Sequence, residues 1–85
     1  MIYLLAKDLE DARQWAWFNG ARNDEVVFLF SPDRVDMLRP GDRLVRTACC
    51  YSHPKHFEIE AALWRLIHLC QLSEGPGGRL SRQAA

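Results

Sequence analysis

The sequence predicts a minimal α/β domain: a three-stranded parallel sheet, half of a doubly wound, Rossmann-like arrangement. Three observations point there. Residues 2–6 and 25–30 are apolar runs of the kind that fill strands covered on both faces. Residues 43–48 repeat the strand pattern with more polar character, as an edge strand does. Stretches with helix signals follow each of them, so the order is β-α-β-α-β-α. Such alternation implies parallel strands joined by right-handed crossovers. The strand order 2-1-3 is favoured over 3-2-1, because residues 2–6 are the most evenly apolar and suit the centre.

Each element has its own signal. Asp8 is an N-cap, with Glu10 and Asp11 in the first turn, where the helix dipole favours acids. Gly20 ends this helix, since glycine takes positive φ at no steric cost. Leu9, Ala12 and Ala16 point one way; Trp15, Trp17 and Phe18 fan out over the other directions. The run EVVFLF at 25–30 is β-branched and aromatic. Ser31 and Pro32 read as N-cap and first helical residue of a short helix over 32–38. Arg39-Pro40-Gly41-Asp42 is a turn. Residues 54–72 form the longest helix, about five turns, with no Gly and no further Pro after Pro54.

That last helix has two apolar stripes. Ile59, Ala62, Leu63, Leu66, Ile67 and Cys70 gather on one side at helical period. Phe57, Ala61, Trp64 and His68 line nearly the opposite side, with Glu58 and Arg65 along one border and Glu60 and Gln71 along the other. A helix on the outside of a small domain buries one face in its own core. The second stripe therefore calls for another partner, and exposed aromatics in quantity mark interfaces. Trp15, Trp17 and Phe18 add to the same expectation.

The whole chain bounds what it can do. Its 85 residues form one domain with a thin core. Formal net charge is zero, which removes the simplest electrostatic case for nucleic acid or an acidic membrane. Arg34, Arg39, Arg43 and Arg46 are interleaved with Asp33, Asp36 and Asp42, a solvated mixed-charge surface. Three Cys, two of them adjacent, make no disulfide framework and indicate a reducing cytosol. No run reaches the length of a membrane span, and the start lacks the pattern of a signal peptide. The residues after 72, SEGPGGRLSRQAA, carry three Gly and one Pro with little to bury. A domain over 1–72 and a flexible tail over 73–85 are thus expected.

Ligands of open parallel sheets bind beyond the carboxyl ends of the strands. Here those ends carry Lys7, Asp8, Ser31, Asp33, Arg34, Cys49, Cys50, Tyr51, Ser52 and His53, a polar rim that could hold a small anion. No glycine-rich phosphate loop accompanies it. Cys49, Cys50, His53 and His56 hold zinc-like residue types at awkward spacing, because adjacent Cys side chains serve one tetrahedral ion poorly. A Cys near a helix start can be a nucleophile, but the phosphatase spacing to Arg is absent, with Lys55 or His56 in its place. The reading favours no catalytic residue, no metal and no cofactor.

The MIYLLA strand, the strand closing on Ser31-Pro32-Asp33-Arg34, the Arg39-Pro40-Gly41-Asp42 turn and the Ile59-Glu60-x-x-Leu63 helix together resemble small accessory proteins of actinobacterial phages. The resemblance covers residues 1 to about 69. It implies a minimal Rossmann-like protein made in an infected bacterium, with some members acting on host proteins; it carries no catalytic residues. The combined expectation is a cytoplasmic interaction protein. It pairs with a second copy or grips a host protein through Trp15, Trp17, Phe18, Phe57, Ala61, Trp64 and His68. A small ligand-binding protein or enzyme using Asp8, Ser31, Arg34, Cys49, Cys50 and His53 is the alternative.

Overall fold

The computed structural model describes residues 1–69 and 72–82. The elements are β1 (Ile2–Leu5), α1 (Leu9–Phe18), β2 (Val26–Phe28), a 3-10 helix (Pro32–Met37), β3 (Arg43–Arg46), α2 (His56–Leu69), β4 (Leu72–Glu74) and β5 (Leu80–Arg82). β1 pairs in parallel with β2 on one side and β3 on the other, so the sheet order is β2-β1-β3. This is the expected order, with the evenly apolar strand at the centre and the polar one at an edge.

Alternation along β1 builds two cores. Tyr3 and Leu5 point to one face, where Val35 and Leu38, Leu44, Cys50, and Ile59 and Leu63 of α2 close around them. Leu4 points to the other face and meets Ala12 of α1, with Trp15, Val26, Phe28 and Val45 packed alongside. α1 lies on the crossover from β1 to β2, and the Pro32–Met37 helix on the crossover from β2 back past β1 to β3, so right-handed connections put these two on opposite faces, and α2 packs on the second.

The local signals hold. Asp8 accepts the Asp11 N–H at 2.8 Å as N-cap of α1, and Gly20 follows the helix at φ +68°. The residues after Ser31 coil more tightly than an α-helix, and the Ser31 side chain makes no cap hydrogen bond. α2 begins at His56 rather than at Pro54. The Lys55 N–H donates to Nδ1 of His53 at 2.9 Å, which holds 53–55 in a turn just before the helix. Leu72 is a strand residue, not a helical one; Cys70 and Gln71 lie outside the described residues.

The expected tail needs correction over 73–82. β4 and β5 form an antiparallel hairpin, with Ser73 opposite Ser81. Its connection runs along the outer edge of β3. Gly41 N–H donates to the Leu80 carbonyl at 2.7 Å, and Leu80 N–H donates to the Asp42 carbonyl at 2.8 Å. Leu80 is buried in the larger core, and Leu72 is buried as well. The glycines permit this packing rather than prevent it. Gly78 sits at φ +79°, and a Cβ there would stand 1.9 Å from the Leu44 carbonyl oxygen. Residues 83–85 lie outside the described residues.

Candidate functional site

α2 presents its two stripes as its periodicity requires. Ile59 and Leu63 are buried, and Ala62 and Leu66 pack against the same core. With that face satisfied, Phe57, Ala61, Trp64 and His68 point to solvent. Phe57 is 85% exposed and Trp64 63%. One turn apart, the Trp64 and His68 rings lie 4.2 Å between centroids at a 40° tilt. At the start of the helix, His56 is buried between neighbours: its ring is 4.8 Å from that of Tyr51 and 5.4 Å from that of Phe57.

Tyr51 extends the aromatic surface, and sequence reasoning missed it there, placing it in the ligand rim. A short 3-10 turn at Cys50–Ser52 directs Cys50 inwards and leaves Tyr51 79% exposed. The signal was the alternation of a small apolar residue with an aromatic one just ahead of a helix.

The other aromatics do not join this stripe. Trp15 packs half-buried against the core under α1. Trp17 and Phe18 form an exposed edge-to-face pair, 5.0 Å between ring centroids. α1 and α2 cover opposite faces of the sheet, so these residues make a separate patch. The seven aromatic-surface residues therefore fall in three places.

The polar rim is occupied by structural work. Asp8 is a cap. Asp11 accepts the Lys7 N–H at 3.0 Å and the Thr47 hydroxyl at 2.6 Å, tying the ends of β1 and β3 to α1. His53 is buried, its Nδ1 accepting from Lys55 and its ring 5.6 Å from that of Phe28. Cys49 is exposed and Cys50 buried. Burial pushes the Cys50 thiol up from its ordinary value, and the Glu60 charge adds to this. That is the opposite of what a thiolate nucleophile needs. Among the described residues, no three His, Cys, Asp or Glu side chains come together as a metal site.

The arginines are likewise engaged. The Arg34 guanidinium lies 4.5 Å from the Phe30 ring centroid. Arg39 donates to the Asp36 and Leu38 carbonyls, and Arg43 to the Gly77 carbonyl. Arg46 bridges Glu60 at 2.7 Å and Glu74 at 3.4 Å, tying β3 to α2 and to the hairpin. Burial works against its charge, but hydrogen bonding and attraction from the two glutamates outweigh burial and hold its pKa above the ordinary value. No helix among the described residues is long and apolar enough to cross a membrane. No protein family, curated protein or solved structure matches the chain.

Proposed function

We propose that the chain is a non-catalytic interaction module. In this reading it self-associates, or grips a host bacterial protein, through the outer stripe of α2. The observation that carries it is the exposure of Phe57 and Trp64 on a helix whose other face already fills the core. The ring contacts they make among the described residues, Phe57 with His56 and Trp64 with His68, are local to the helix. Ala61 between them is small enough to let a second helix approach. Two copies related by a twofold axis could lay the stripe against itself, the commonest way for a homodimer to close. Trp64 would be the anchor, as a buried Trp often dominates an interface. Trp17 and Phe18 offer a second, smaller contact. The proposed setting is the cytoplasm of an infected bacterium, as the resemblance to phage accessory proteins implies.

Sedimentation of the wild type and of Trp64→Ala tests this. The reading expects an associating wild type and a folded, monomeric variant. A wild type that stays monomeric at tens of micromolar removes the homodimer and moves the reading to a host protein. Affinity capture from bacterial lysate then has to recover one stoichiometric partner that Trp64→Ala loses. The rim alternative has less support, since Asp8, Asp11 and His53 already serve the fold. A thermal shift with nucleotides or phosphate would revive it.

A further inference from the structure

The outer stripe of α2 has the spacing of a coiled-coil seam. Phe57, Ala61, Trp64 and His68 fall four, three and four residues apart, which are the d, a, d and a positions of a heptad. The residues flanking the seam are then Glu58 and Arg65 at e, and Glu60 and Ile67 at g. The core-facing Ile59 and Leu66 take the f positions, so the seam points away from the domain.

The two e residues carry opposite charge, and both are exposed. They stand seven residues apart, about 10 Å along the helix, too far to bridge within one chain. The ion pairs among the described residues involve neither of them. Asp33 and Asp36 line the same groove as Arg65, yet neither bridges it. On the g side, by contrast, Glu60 is held by Arg46 at 2.7 Å. The charges open to a partner helix therefore sit on the e flank.

We propose that α2 pairs antiparallel with α2 of a second copy, about a twofold axis level with the peptide joining Ala61 and Ala62. This rests on the reading of the stripe as an interface, and it fixes the occupant and its orientation. A twofold axis that reverses the helix leaves each flank on its own side of the seam, so e residues meet e residues. Glu58 then comes level with the partner's Arg65, and Arg65 with the partner's Glu58. Size fits in the same register. Trp64 comes midway between the partner's Ala61 and the partner's Phe57, so the largest side chain of the stripe packs over the smallest.

A parallel pair does neither. It sets Trp64 against Trp64 and Ala61 against Ala61, and it turns Arg65 toward the partner's Glu60, which Arg46 already holds. One register of one orientation satisfies charge and size together, and the chain supplies both halves of each match. That self-complementarity selects a second copy over an unrelated protein. The seam is short, so the expected affinity is that of a small, transient interface.

Sedimentation of charge variants of the full chain tests the pairing. Glu58→Arg and Arg65→Glu should each weaken self-association about tenfold, because two attractive pairs become repulsive. Mixing the two variants should restore a one-to-one dimer of wild-type affinity, since every facing pair is again opposite in charge. A variant that had lost its fold would not be rescued in this way. Wild-type association by Glu58→Arg overturns the proposal; if Trp64→Ala still abolishes that dimer, the stripe remains an interface in another orientation. A mixture no tighter than either variant alone also overturns it. So does a wild type that is monomeric at several hundred micromolar, which leaves the stripe to a different protein.

Discussion

The two faces of the sheet are built to different depths. On the α2 side, large side chains from β1, the Pro32–Met37 helix, β3, α2 and Leu80 interlock and are buried. On the α1 side, the helix contributes Ala12 and Ala16, which let it sit close but fill little space. Leu9 stays exposed, and Val26, Phe28 and Val45 are only partly covered. A short chain cannot bury both faces equally. Stability therefore concentrates on the α2 side, while α1 acts as a lid over a shallow layer.

Substitutions can break or sharpen this contrast. The largest effect belongs to Leu63→Ala, which opens a cavity in the deep core and should cost about 3 kcal/mol in urea denaturation. Trp15→Ala, on the shallow face and partly exposed, should cost clearly less despite the larger side chain; an equal loss would mean that the two faces share the load. Gly78→Ala comes next, at about 2 kcal/mol or more, from positive φ together with the approach to Leu44. If Gly78→Ala leaves the melting temperature unchanged, the hairpin does not belong to the deep core. Asp11→Ala should cost about 1–2 kcal/mol, because the buried Thr47 hydroxyl loses its acceptor. Adding Thr47→Val should recover part of that loss.

The deep face also predicts a pH dependence. Burial raises the Cys50 thiol above its ordinary 9.0. Burial, then the Asp42 charge, raises the Tyr3 hydroxyl above its ordinary 10.0. The folded state holds these protons more tightly than the unfolded one does. Their contribution to stability is thus complete below the unfolded values and is lost as pH rises through the folded ones. Denaturation midpoints should be flat near neutrality and fall above about pH 9. Cys50→Ala should remove the earlier part of that fall, and an unchanged profile in this variant would refute the assignment. The smallest effect is that of Trp64→Ala on folding, within about 0.5 kcal/mol, since its side chain faces solvent. A large loss there would place Trp64 in the core instead.

What could be read from the sequence follows the range of the interactions involved. Strand order came from relative apolarity, and the caps at Asp8 and Gly20 from contacts within a few residues. The inner and outer stripes of α2 came from period alone. The hairpin was illegible for the opposite reason. Its residues have little to bury locally, and among those described Leu72 and Leu80 alone are buried. What orders it is β3 and the turn before it, far away in sequence: the Arg43 side chain donates to the Gly77 carbonyl, and Gly41 and Asp42 share backbone hydrogen bonds with Leu80. A Gly-Pro-Gly-Gly run reads as disorder unless a surface awaits it. The three separate locations of the aromatics were hidden likewise, because the side of the sheet each helix occupies follows from strand order rather than from the helix itself.

The sealing of β3 by the hairpin also has a consequence in time. β3 leaves the ribosome before α2, and α2 before the segment that covers the β3 edge. A chain caught in that interval has two open strand edges instead of one. Molecules with two open edges can link without limit, and such intermediates feed aggregation. Once Gly78 seats against Leu44, one end of the sheet is terminated and open-ended growth through that edge stops. Truncation or proteolysis before Gly75 should thus show itself less as lost activity than as loss of colloidal behaviour: higher light scattering at a given concentration, in a chain whose α/β sheet is otherwise complete.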